Sequence, residues 1–195
     1  AKKNLEATKL ELYRLENIKL RELLKFYNQS TFDLRVAQIV NKNFSSSIKA
    51  IFIDVGSDDV VINKSVVIDT KGLVGKIISI GKNASKVHLI TDINFNVGIR
   101  VGESMDLGLF VPSHGKYGTL EGVRKNAKIS VGDIAYTSGL SNIFPKDIPV
   151  AKVIEISRLD YSHFLEIQVE LLFDSSNLNY LFILSPTADF QIDDL

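Results

Sequence analysis

The sequence predicts a mainly β protein: an N-terminal coiled-coil-type helix followed by two small packed β-barrel domains. Three observations lead there. The first 28 residues contain no Gly or Pro and are dominated by Leu, Glu, Lys and Arg, all good helix formers. From Phe32 onward, apolar residues recur with period two in short runs bounded by Gly, Asn, Asp and Ser. The runs continue almost to the end with no helical pattern between them, and about a dozen strands are more than one small barrel holds.

The helix covers 1–28. Leu5, Leu12 and Lys19 fall seven apart, as do Thr8, Leu15 and Glu22, so a heptad seam starts well and turns polar by its third repeat. Leu20, Leu23 and Tyr27 carry an apolar stripe on a different phase. One reading is an amphipathic helix packed on its own domain. The reading adopted is a self-associating stalk, a dimer with Leu5, Leu12 and Leu15 in its seam, continuing from sequence upstream. Ala1-Lys2-Lys3 already lies within the helical pattern, so the chain reads as a fragment and the lack of a targeting signal carries no weight. Asn28-Gln29-Ser30-Thr31 ends the helix.

The strand-like runs follow in order. "LRVAQIV" places Leu34 and Val36 on one face, with Arg35 and Ala37 on the other. "AIFIDV" comes next, then "SVVIDTKGLVGKIISIG", two strands around a Lys71-Gly72 turn, then "SKVHLITD" and "NVGIRV". "LGLFV", "YGTLEGV", "DIAYTSG", "IPVAKVIEIS", "HFLEIQVELLF" and "NYLFILS" complete the set. The polar, Gly-containing stretch near 99–106 divides them into a first β domain, 29–100, and a second, 101–195; a sharing of strands across that boundary is the alternative.

Composition narrows the function. Lys+Arg and Asp+Glu both number 23, which argues against a nucleic-acid partner. Cysteine is absent, which removes disulfides and thiol chemistry. No apolar run approaches the ~20 residues that cross a bilayer. A Ser-His-Asp triad is defined by geometry and fits a double barrel, but Ser113 in "PSHG" and Ser138 in "TSGLSN" lack a nucleophile motif. His88 lies between Val87 and Leu89 and reads as an exposed strand residue. The three histidines have no ligand spacing, and "GLVG" at 72–75 lacks the lysine and serine of a phosphate loop. No catalytic residue, metal or cofactor is expected.

Surface is what remains. "TSGLSNIFPKDIPVAKV" (137–153) spends Ile143 and Phe144 inside a turn and places Pro145 and Pro149 after them. Two roles are open: the prolines fix the backbone while Phe144 plugs a barrel end, or Ile143 and Phe144 touch a partner, as exposed apolar clusters do. The candidate partner-binding rim is Ile143, Phe144 and Ile148, joined by Phe110, Tyr117 and Tyr161.

Three segments in order carry a family resemblance. "GLVGKIISIGKNASKVHLITDINFNVGIRV" (72–101) resembles the Gly-Leu-Val-Gly segment of the MreC rod-shape-determining family and its Ser-x-Val-x-Leu-(Leu/Ile)-Thr-Asp element, here Ser85, Val87, Leu89, Ile90, Thr91 and Asp92. "YGTLEG" (117–122) is similar to the family's Gly-x-Leu-x-Gly hairpin, and "GDIAYTSGLSNIFPKDIPVAKV" (132–153) matches its Gly-Asp, Thr-Ser-Gly and Phe-Pro elements. Asp147 and Ala151 stand where the family usually has glycine, and "SDDVVINKS" replaces its Asp-Gly-Val hairpin. The resemblance implies a periplasmic scaffold of lateral cell-wall elongation, held at the inner membrane by an N-terminal transmembrane helix that this fragment lacks. It implies two trypsin-like barrels without a working triad. It also implies partners: MreD, MreB through the membrane, the monofunctional elongation penicillin-binding transpeptidase, and further copies as dimer or filament. The rival readings are a periplasmic adaptor of a transport assembly, which would insert a helical hairpin among the strands, and a double-barrel protease.

Overall fold

The computed structural model describes residues 2–43, 48–59, 61–173 and 178–184. The chain divides into two compact units, Ala1–Leu34 and Arg35–Leu195.

The first unit is built on α1 (Lys2–Gln29). Ser30 N donates to Phe26 O at 3.0 Å and prolongs the last turn. Ser30 Oγ then accepts from Phe32 N at 3.1 Å, so the serine ends the helix by offering the backbone a competing partner. No helix among the described residues is long and apolar enough to cross a membrane.

Among its described residues the second unit holds twelve strands: β1 (Leu34–Asn43), β2 (Ala50–Ile53), β3 (Val66–Ile68), β4 (Leu73–Ile80), β5 (Ser85–Leu89), β6 (Val97–Val101), β7 (Asp106–Pro112), β8 (Tyr117–Glu121), β9 (Ile134–Thr137), β10 (Pro149–Ser157), β11 (Glu166–Leu171) and β12 (Tyr180–Leu184). They close into two six-stranded barrels, ordered β1-β12-β3-β4-β5-β2 and β10-β11-β8-β7-β6-β9. The mainly β, two-barrel expectation holds. A linear division at 100/101 does not: β6 belongs to the second barrel, and β12, last in sequence, closes the first. The reason is edge satisfaction. β1 pairs with β2 on one side, β3 with β4 on one side, and the gap between them would expose two rows of backbone polar groups. β12 fills it, with Phe182 opposite Ile68 and Ile183 opposite Val67.

Barrels of this size are filled by side chains. Ile51, Ile53, Leu73, Ile77, Leu89 and Phe182 are fully buried among the first barrel's strands, and Ile99, Phe110 and Leu120 among the second's. In β1 Leu34 and Ala37 are buried while Val36 is exposed, so the alternation read from sequence slips by one within that strand.

Candidate functional site

The two barrels meet where the chain crosses from β5 to β6, at residues 90–96. Asp92 organises the crossing. Its side chain is almost wholly buried; Oδ2 accepts from Lys49 N at 2.5 Å and Oδ1 from Asn94 N at 2.9 Å. The Nε2 of His88 comes within 3.2 Å of Oδ1. Burial pushes the Asp92 carboxyl up, but the two backbone donors and His88 together outweigh it and hold the group below the ordinary aspartate value. His88 is therefore no exposed strand residue: it is buried, its ring edge-on to Phe95 at 5.2 Å.

Phe95 passes the contact to the second barrel. Its ring lies 5.8 Å from that of Phe144, and Lys76 Nζ sits over both, 5.5 Å from Phe95 and 5.9 Å from Phe144. Partial burial lowers the Lys76 pKa, and the nearby Lys64 charge adds to it. Beside this cluster the backbones themselves touch: a side chain on Gly72 would stand 2.3 Å from Pro149 O, so only glycine admits β10 this close to the β3–β4 turn.

The 138–148 loop is held around Thr137. The buried Thr137 Oγ1 donates to Pro145 O at 2.5 Å and accepts from Ile148 N at 3.0 Å, while Ser141 Oγ accepts from Phe144 N at 3.2 Å. Asp147 adopts φ +74°, a left-handed conformation that favours glycine and that aspartate tolerates better than most residues. Its carboxylate forms an ion pair with Arg100, a charge contact that a glycine at this turn would lack.

This geometry sorts the candidate rim. Phe144 and Ile148 are buried, as is Phe110, whose ring occupies the space a side chain on Gly118 would need. These three are not surface residues, which corrects their place in the rim. Loop closure around Thr137 turns Phe144 and Ile148 inward, and the pleat of β7 turns Phe110 into the barrel. Phe144 packs at the junction, on Phe95. Ile143 is half-buried, Tyr117 is partly exposed under Lys116 Nζ and beside His114, and Tyr161 stands out into solvent. Among the exposed apolar residues that sequence reading missed are Leu107 and Leu109 on β7, and Leu140 in the loop. "LGLFV" is apolar on both faces, so alternation alone does not say which face turns out.

On α1, Leu5, Leu12 and Leu15 are exposed. A longer seam lies on another face. Leu10, Tyr13, Asn17, Leu20, Leu24 and Tyr27 are spaced three and four in alternation, a continuous heptad in which every member is exposed. Asn17 stands third in that row, and its Oδ1 accepts from Arg21 Nε at 2.8 Å. The signal was present in the spacing from Leu10, and counting from Leu5 obscured it.

Ser138 Oγ accepts from Leu140 N at 3.3 Å, and no hydrogen bond among the described residues joins a histidine ring to a serine hydroxyl. No group of three or more His, Asp or Glu side chains among them could hold a metal ion.

Comparison with known proteins places this architecture. Residues 39–185 match the family described as Rod shape-determining protein MreC, barrel core. The Cell shape-determining protein MreC of Escherichia coli is 32% identical over 184 residues, 93% of this chain and 50% of that protein. Its counterpart in Haemophilus influenzae is 29% identical over 187 residues, 95% of this chain and 53% of that protein. The chain thus spans about half the length of the curated relatives it matches. A solved structure of MreC superposes with TM-score 0.82 at 24% identity, covering 89% of this chain and 99% of that one. The structure described as a complex between Penicillin-Binding Protein (PBP2) and MreC from Helicobacter pylori gives TM-score 0.61 at 13% identity, over 80% of this chain and 100% of that one. With three quarters of its residues inside the matched barrel core, the chain belongs to the MreC rod shape-determining family.

Proposed function

We propose that this chain is a non-enzymatic scaffold of the lateral cell-wall elongation machinery. It works on the periplasmic side of the bacterial inner membrane, self-associates through α1, and holds the monofunctional elongation penicillin-binding transpeptidase on its second barrel. MreD and MreB complete the assembly, reached through a membrane segment upstream of this sequence. The observation that carries the reading is the family match together with apolar side chains left exposed on that barrel: Leu107, Leu109 and Leu140, with Ile143 half-exposed beside them. The H. pylori relative in complex with a penicillin-binding protein supports the choice of partner. Register joins the patch: Leu109 lies opposite Gly98 on β6, and Ser138, which leads into Leu140, donates its backbone N–H to Gly98 O at 2.9 Å. The chain's net charge of +0 supplies no strong field to hold a partner, so apolar contact carries the affinity, concentrated in a few residues.

Binding of the purified chain to the periplasmic part of its own organism's elongation transpeptidase, followed by biolayer interferometry, tests this. Leu109→Asp with Leu140→Asp should weaken binding at least about tenfold, since two apolar contacts of hot-spot size are lost, with an unchanged melting temperature. Unchanged affinity in a folded double variant would move the surface elsewhere; no binding by the parent chain would remove the transpeptidase from the proposal.

A further inference from the structure

At the end of the second barrel remote from the crossing at 90–96, three connections form a rim: the β6–β7 hairpin, the segment that follows β8, and the β10–β11 connection. They are fastened to one another. Glu103 N donates to Lys128 O at 3.3 Å, Lys125 N to His163 O at 3.0 Å and Leu165 N to Val123 O at 2.9 Å, and Arg124 pairs with Phe164 as a β-bridge. Side chains add two staples, Lys125 Nζ to Leu159 O at 2.7 Å and Arg158 Nη1 to Lys125 O at 3.1 Å. The tip is itself tied: Ser162 Oγ donates to Phe164 O at 2.9 Å and accepts from Phe164 N at 3.0 Å. These fastenings keep apolar side chains pointing outward: Tyr161 is 85% exposed, Val131 64%, Phe164 49% and Met105 46%. Arg124, Lys128 and Arg158 stand exposed among them. The carboxylates on the same connections are Glu103 and Asp160, both exposed, and Asp133, which accepts from Ser130 N at 2.9 Å.

We propose that this distal rim of the second barrel docks on an anionic phospholipid surface. Neither half of the composition suffices alone. Apolar and aromatic side chains of this size enter the acyl boundary of a bilayer while Lys and Arg remain at the headgroups, the division that interfacial segments use. An acidic polypeptide would engage the cations but leave Tyr161, Val131 and Met105 wet. The apolar residues also come from three separate connections round a barrel end, a rim suited to a broad, yielding surface rather than to one extended peptide.

Co-sedimentation of the full chain with phosphatidylcholine vesicles, with and without phosphatidylglycerol, tests it. The chain should pellet with the anionic vesicles only, and less so at high salt. Arg124→Gln with Lys128→Gln should weaken partitioning roughly 25-fold, about fivefold per charge. Tyr161→Ser with Phe164→Ser should also weaken it, and thermal melting should show every variant folded. Failure to bind anionic vesicles, equal binding to neutral ones, or indifference to both pairs of substitutions would overturn the proposal. Capture by immobilised polyglutamate without vesicle binding would also overturn it and reassign the rim to an acidic protein partner.

Discussion

Asp92 holds two stretches of backbone with one carboxylate, Lys49 at the entry to β2 at 2.5 Å and Asn94 in the crossing at 2.9 Å, both bonds part-buried. Its folded pKa lies below the ordinary value, so it contributes stability that is complete above about pH 4, where free aspartate ionises. That contribution is lost as pH falls through the lower, folded value. Denaturant titrations from neutral pH into the acid range should show stability falling, with a shallower fall in Asp92→Asn. At neutral pH that substitution should cost about 1–3 kcal/mol, because an amide turns a donor toward one of two buried backbone donors. Phe144 is the second test at this scale. Buried against Phe95 beneath Lys76, it should cost about 3–5 kcal/mol as Phe144→Ala. The loss should read out in the melting temperature, with any loss of transpeptidase binding following from it; a normal melting temperature with weakened binding would make it a contact residue instead. Pro145, Pro149 and the Ile-Phe pair marked this loop as unusual in the sequence. The inward turn of Phe144 was not legible, because it depends on Thr137 bonding to residues eight and eleven positions away.

Among the elements, α1 and β7 show where periodicity informs and where it misleads. The helix was plain from composition, yet two heptads overlap in it. If Leu10, Tyr13, Leu20 and Leu24 form the seam around Asn17, Leu10→Asp with Leu24→Asp should shift the mass measured by sedimentation toward monomer. Leu5→Asp with Leu12→Asp and Leu15→Asp should leave it nearly unchanged, and the reverse result would restore the seam that begins at Leu5. Asn17→Leu should strengthen association and loosen register, since the polar core residue trades stability for specificity. The strands were legible as elements because turn residues bound each one. Facing was not legible wherever both faces are apolar, as in β7, or where the alternation slips, as at Val36.

For the whole molecule, the twelve runs declared two barrels by number alone, but no local signal announces that β12 returns to the first. Long-range pairing is chosen by edges that need partners, not by residues near in sequence. Ending the chain after β11 should therefore leave the second barrel intact and the first open, with β1 and β3 each missing a neighbour. Hydrogen exchange should show protection kept in β6–β11 and lost in β1–β5, and the shortened chain should aggregate through its bare edges. The nesting also bears on time. β5 ends at Leu89 and β12 begins at Tyr180, so a chain made or exported from its N-terminus completes the inner barrel while the outer one still waits for a strand not yet released. Assembly then runs from the inside out, and the first barrel is the last to become a barrel; a stalled or clipped chain fails in the half that was made first.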